Sequence, residues 1–329
     1  MSKLAPTMEG FFTERLIAQR RASRNTLASY RDTFRLLLAF AQQQTGKAPS
    51  KLEIEDLDAK LIGAFLEHLE VERHNSVRTR NNRLAAIRSL FAYGALRHPD
   101  HAALIQRVLA IPAKRMDRRL VSFLTRDEVK ALLDAPDRRT WVGRRDHALL
   151  VVAIQTGLRV SELTALVCAD VDLNTGAHLR CHGKGRKERI TPLTRQTCGI
   201  LRPWLAELQG GPDRPLYPSR RNGPLSRDAV ALLVTKHARA AAQRCPSLGT
   251  KTVTPHVLRH TCAMQLLTAG VDTSVIALWL GHESVETTQI YLHADLAIKE
   301  RALARIAPPD TRPGRYRPPD PLLAFLEGL

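Results

Sequence analysis

The stretch Thr254-Pro255-His256-Val257-Leu258-Arg259-His260 opens a helix. Threonine is a good N-cap, because its hydroxyl accepts from a backbone N–H of the first turn. Proline suits the position after it, where no N–H is needed. His256, Arg259 and His260 then fall at i, i+3 and i+4, on one face of the opening turns. The free N–H groups and the dipole of a helix N-terminus already attract anions. Two imidazoles and a guanidinium added there make a phosphate site. A plain capped surface helix would begin the same way, and His260 by itself reads as a packed structural histidine.

Working outward, Arg159 stands in Thr156-Gly157-Leu158-Arg159-Val160-Ser161-Glu162-Leu163, just after a glycine suited to ending a helix. Two arginines hold the oxygens of a phosphate through paired donors, which lysine does less well. Glu162 lies one turn on and is placed either to orient that guanidinium or to sit on the surface as an ordinary carboxylate. His178–His182 and Glu188–Leu193 read as strands flanking Gly183-Lys184-Gly185-Arg186-Lys187, a hairpin turn. Lys184 at its tip can reach a leaving oxygen and protonate it; taken alone, the hairpin reads better as a basic loop that only touches backbone phosphate. Lys187 is expected to contact backbone phosphate and is the lesser candidate for the role of Lys184. Downstream, Trp279–His293 reads W-L-G-H-E-S-V-E-T-T-Q-I-Y-L-H. Gly281 ends one helix, His282 follows in the turn, and Ser284 caps a helix carrying Tyr291. A phenol is a poor nucleophile at its free pKa of ~10. Neighbouring arginines and imidazoles are expected to favour its phenolate and make attack feasible.

The remainder of the chain predicts a mainly α protein with a small antiparallel sheet, an α+β fold. The first hundred residues are helical. Leu27, Tyr30, Phe34, Leu37, Leu38 and Ala41 form one apolar stripe, and Leu61, Ile62, Phe65, Leu66 and Leu69 another. A third helix, about Ser76–Leu96, turns Leu84, Ile87, Leu90 and Phe91 inward and Arg78, Arg80, Arg83 and Arg88 outward. That face lacks the interleaved glutamates of a merely solvated surface, which points to phosphate contact. The division expected is a helical domain over 1–110, a basic linker over 111–120 with the boundary near Arg118, a second domain over 121–305 opened by a Thr125/Glu128 capping box, and a Pro/Arg-rich tail over 306–329. In the second domain, helices are expected near 143–156, around Ser161–Leu163, and near 194–208, 226–243, 254–269, 273–280 and 284–292. The short apolar end of the tail reads as a docking segment.

The 329 residues carry a formal net charge of +18. So large a surplus calls for an anionic partner. Aromatic residues are only 5% of the chain, which favours phosphate contact along double-stranded DNA over stacking on single strands. Five scattered cysteines without a C-x-x-C pair argue against a disulfide framework or a zinc site. No metal or cofactor is expected. Neither a signal-peptide stretch nor a membrane-spanning apolar run is found, so a soluble, cytoplasmic protein, nucleoid-associated when bound, is expected.

Together, T-G-L-R-V-S-E-L, H-G-K-G-R-K-E-R, T-P-H-V-L-R-H-T and L-G-H-E-S-V-E-T-T-Q-I-Y-L-H resemble the motifs of the tyrosine recombinase (phage integrase) family, over roughly Met8–Arg301. The resemblance implies an N-terminal helical, SAM-like core-binding domain and a C-terminal catalytic domain. It implies that Arg159 and Arg259 clamp a scissile phosphate and that Lys184 is the general acid. His256 would assist proton transfer, His282 would donate to a phosphate oxygen, and Tyr291 would be the nucleophile. Glu162 matches the supporting acidic position, with His260 beside it. The implied reaction is metal-independent cutting and rejoining of DNA through a 3′-phosphotyrosine, carried out by a homo- or hetero-tetramer that sometimes includes partner recombinases. Integration, excision or transposition of mobile DNA is the expected role. Type IB topoisomerase action and non-catalytic DNA binding are the alternatives.

Overall fold

The computed structural model describes residues 3–116, 121–182, 188–209, 211–281, 288 and 291. The chain divides into two compact units, Met1–Arg118 and Arg119–Leu329. Among the described residues no helix is long and apolar enough to cross a membrane.

The first unit is helical. α1 (Leu4–Gly10) runs into a π-helical segment (Phe11–Gln19), followed by α2 (Arg24–Thr45), α3 (Ala59–Val71), α4 (Val77–Ala95) and α5 (Ala102–Ala110). The starts of α2, α3 and α4 are set by side-chain caps, with Ser23, Asp58 and Ser76 accepting from the amides of Thr26, Leu61 and Thr79. The apolar stripes meet in one core around Phe11, Phe34, Leu37, Phe65, Leu66, Leu69, Leu84, Ile87 and Phe91. Leu27, Tyr30, Leu38 and Leu61 lie half-buried at its margin.

The uniformly basic outer face expected of α4 is corrected by the structure. Arg78 is exposed and Arg83 half-buried, but Arg80 is only 7% exposed. Its Nη1 donates to the Pro112 carbonyl at 3.1 Å, and Asn81 completes the link by donating to the Lys114 carbonyl at 2.8 Å. Arg88 likewise donates to the carbonyl of Ile111. Arg80 and Arg88 thus stitch the segment after α5 back onto α4, because a segment outside any helix or sheet must find donors for its carbonyls.

The second unit contains α6 (Arg126–Leu133), α7 (Trp141–Thr156), α8 (Val160–Ala165), β1 (Val171–Asp172), β2 (His178–His182), β3 (Glu188–Pro192), α9 (Arg195–Leu208), α10 (Arg227–Ala242), α11 (Pro255–Thr268) and α12 (Thr273–Leu280). The Thr125/Glu128 capping box is formed. The sheet is antiparallel in the order β1-β2-β3, with Arg180 opposite Ile190 and His182 opposite Glu188. β1 was not expected; two residues carry no readable alternation. In α7, Ala148–Ile154 is buried all round. Such a helix lies inside the core rather than against it. It packs on α9, α11 and α6, and its buried surface joins Leu163, Leu201, Trp204, Val234 and Leu258. A smaller cluster, Cys262, Ala263, Met264, Leu267, Ile276 and Leu280, lies between α11 and α12 and includes Tyr291. The hairpin tip with Lys184 and Lys187, the turn residue His282, most of the expected 284–292 helix, and the 306–329 tail lie outside the described residues.

Candidate active site

Three helix ends build the site. α7 ends at Gly157 in the left-handed region, φ +62°. α12 ends the same way at Gly281, φ +63°. Both turns aim carbonyl oxygens, the negative ends of helix dipoles, toward one place. α11 begins there, capped by Thr254 with Pro255 in its first turn, as its sequence predicts. A side chain at Gly157 has no room: a Cβ would come within 2.5 Å of Leu280 Cδ2 and 3.1 Å of Cys262 Sγ.

Arg259 fills the space between the two helix ends. It is 4% exposed. Its Nη1 donates to the Gly157 carbonyl at 2.6 Å and its Nη2 to the Leu280 carbonyl at 2.7 Å. Burial, with the charge of Arg159 adding to it, draws its pKa down to about 10, so it stays cationic at neutral pH. Arg159 stands at the N-terminus of α8. Its Nη2 donates to the Gly281 carbonyl at 2.8 Å and its Nη1 to Glu162 Oε1 at 2.9 Å. A guanidinium has five N–H donors, and these bonds use two on each arginine. Two cations that repel each other are therefore held on neighbouring carbonyls.

Glu162 is not a surface carboxylate. It is buried, and it accepts from the Arg159 amide at 2.8 Å as well as from the Arg159 guanidinium. Arg189 on β3 grips both its oxygens, at 3.0 and 2.8 Å. Burial pushes the carboxyl up, but the bonds from Arg189 and Arg159 outweigh it and hold the group below the usual carboxylate range. Arg189 was given no role from sequence. The available signal was alternation: in Glu188-Arg189-Ile190-Thr191, the strand turns Arg189 and Thr191 inward and leaves Ile190 exposed.

His256 is exposed at the first turn of α11, and its ring stacks 6.3 Å from that of His260. His260 was read as structural; its Nδ1 lies 2.9 Å from the Tyr291 hydroxyl. Burial, then the charges of His256 and Arg259, pulls His260 down to about 4, so its ring is neutral at physiological pH. Tyr291 is 1% exposed. The expected phenolate is corrected here: burial pushes the phenol up to about 12, and the opposing charge of Arg259 is the lesser influence. In this state the hydroxyl is a protonated, buried group beside a neutral imidazole.

Arg159, Glu162, Arg259, His256, His260 and Tyr291 are thus brought together, with Arg189 added. Lys184, Lys187 and His282 lie outside the described residues. Among the described residues, no group of three or more His, Cys, Asp or Glu side chains is arranged to hold a metal ion.

Comparison with known proteins places this geometry in context. Residues 122–297 match the model of the phage integrase family, and residues 11–98 match that of the phage integrase N-terminal SAM-like domain. A Sinorhizobium fredii protein provisionally named integrase/recombinase y4rC is 58% identical, over 100% of this chain and 99% of its own. Tyrosine recombinase XerC of Pelobacter propionicus is 34% identical, over 89% of this chain and 93% of its own. In fold, the chain is similar to the XerH site-specific recombinase in a post-cleavage complex with difH substrate, with a TM-score of 0.70, 21% identity, and coverage of 87% of this chain and 81% of that one.

Proposed function

This chain belongs to the phage integrase family of tyrosine recombinases, and on that premise we propose that it cuts and rejoins double-stranded DNA through a covalent bond to Tyr291. The observation that carries the proposal is the pair Arg159 and Arg259, each anchored on the carbonyls of a helix end, with Tyr291 held by His260 one residue along from Arg259.

In the proposed reaction the two guanidiniums bind the non-bridging oxygens of one phosphate and stabilise the charge that builds there in the transition state. The Tyr291 oxygen attacks phosphorus as the bond to the 5′-oxygen breaks. The phenolic proton passes to the His256–His260 side of the site. Lys184 supplies the proton that the departing 5′-oxygen takes up. The product is a 3′-phosphotyrosine, which keeps the energy of the phosphodiester, so the 5′-hydroxyl of a second strand reverses the step without ATP. His282 donates to a phosphate oxygen, and Arg78 and Lys187 contact flanking backbone. Cationic side chains supply the charge that a metal ion would otherwise bring. Four subunits acting in pairs in the cytoplasm, alone or with partner recombinases, would exchange strands of mobile DNA.

The test is covalent trapping. Wild-type protein is incubated with a labelled pool of nicked duplexes carrying randomised cores, and the trapped duplexes are sequenced to provide the probe. Tyr291→Phe should bind that probe with affinity within about threefold of wild type, since only a hydroxyl is lost, and form no adduct. Adduct formation should persist in EDTA. An adduct formed by Tyr291→Phe would overturn the nucleophile, and strict dependence on a divalent cation would overturn the metal-free reaction. Relaxation of a supercoiled plasmid with a single site, without strand exchange, would favour topoisomerase action.

A further inference from the structure

Arg189 donates through both terminal nitrogens to Glu162, and the geometry around it is that of a support. Glu162 is a single carboxylate shared by two guanidinium groups. Arg189 takes both oxygens from β3, and Arg159 takes one from α8. The three side chains differ in exposure: Glu162 is 4% exposed, Arg189 13% and Arg159 31%. The outermost, Arg159, is a long side chain whose rotamer freedom must be removed before it can meet a phosphate. Gly281 sits against the same assembly. A Cβ there would lie 2.6 Å from Arg189 Nη1 and 3.2 Å from its Cζ, while the Gly281 carbonyl receives Arg159. The Arg189 side chain therefore occupies the volume beneath the turn that anchors Arg159.

We propose that Arg189 is a positioning residue for strand cleavage: by fixing the Glu162 carboxylate from β3, it sets where Glu162 holds the Arg159 guanidinium. This rests on the cleavage reaction proposed above. A buried ion pair kept only for stability is the competing account, and physical chemistry weakens it. Buried pairs contribute little net stability after desolvation.

The experiment uses full-length protein and the duplex that wild type traps covalently. Arg189→Met, Arg189→Lys, Glu162→Gln and the double variant Arg189→Met/Glu162→Gln are compared by single-turnover adduct rate at saturating DNA and, separately, by affinity for the duplex. Misplacing a clamp by a fraction of an ångström to an ångström costs on the order of tenfold to a hundredfold in rate. Arg189→Met and Glu162→Gln should each lose that much in rate, with affinity within about threefold. Arg189→Lys, which keeps the charge and loses the fork, should fall between. The double variant should be no slower than the worse single one, because both changes break one path. Wild-type rates in Arg189→Met or in Glu162→Gln, or additive losses in the double variant, would overturn the positioning role while leaving the cleavage reaction intact. Were Arg189→Met not to fold, the Arg189→Lys rate and the Glu162→Gln rate still decide the matter. Failure of the underlying reaction is recognised separately, by a wild-type chain that traps no duplex or by an adduct on Tyr291→Phe.

Discussion

At the scale of single residues, the site is a balance of desolvation against charge. Tyr291 is buried and His260 half-buried beside it, and in both the neutral form wins, with the phenol near 12 and the imidazole near 4. In the proposed cleavage the phenolic proton must therefore pass to a base as attack proceeds. His260 also makes a prediction about stability. Its folded pKa lies below its ordinary value of 6.5, so between the two the unfolded chain binds more protons than the folded one. Stability then rises with pH across that window and is lost as pH falls from about 6.5 toward 4. Urea midpoints measured from pH 7 to pH 4 should fall less steeply in His260→Gln than in wild type. An identical slope would mean that His260 is not held neutral by the fold.

At the scale of elements, the deciding features are ends rather than middles. Gly157 closes α7 with positive φ and lets Leu280 and Cys262 pack against it. Gly157→Ala combines the left-handed penalty with a clash against two buried side chains, and should lower stability by about 2–4 kcal/mol in urea unfolding. A loss below about 0.5 kcal/mol would contradict this close packing. α4 carries two kinds of arginine. Arg80 bonds the Pro112 carbonyl and is buried, while Arg78 is exposed. Arg80→Ala should therefore cost about 1–3 kcal/mol of stability through an orphaned carbonyl. Arg78→Ala should leave stability within about 0.5 kcal/mol and reduce the salt slope of DNA binding by about one. Denaturation and binding titrations on the two variants separate these effects, and equal stability losses would refute the division.

For the whole molecule, the surplus of 18 positive charges governs how DNA is met. If a tyrosine recombinase of this charge contacts six or more phosphates, log affinity should fall linearly with log salt with a slope of magnitude at least ~5. A binding titration across salt that gave a slope near 1 would remove the electrostatic footprint. The charge is not spent uniformly. Arg80, Arg88, Arg145, Arg189 and Arg259 each donate to a carbonyl or carboxylate of the protein itself. A count of basic residues therefore overstates the surface available to phosphate.

Local chemistry alone was enough to expose the long helices, the paired strands β2 and β3, and several pieces of the site. Caps such as Thr254, Thr125 and Ser76 act within a few residues, apolar repeats declare their own period, and glycines such as Gly157 and Gly281 mark turns by adopting, without steric cost, a conformation that other residues enter less readily. Which cations remain free was not readable in this way. Arg80 and Arg88 look identical to Arg78 along the chain, and only the return of residues 111–114 across α4 consumes them. Arg189 and Glu162 are 27 residues apart, and no local pattern predicts that a strand and a short helix will share one carboxylate. The protonation of Tyr291 was likewise decided by folding, because desolvation depends on everything packed around a group, whereas sequence shows only which charges stand near it along the chain.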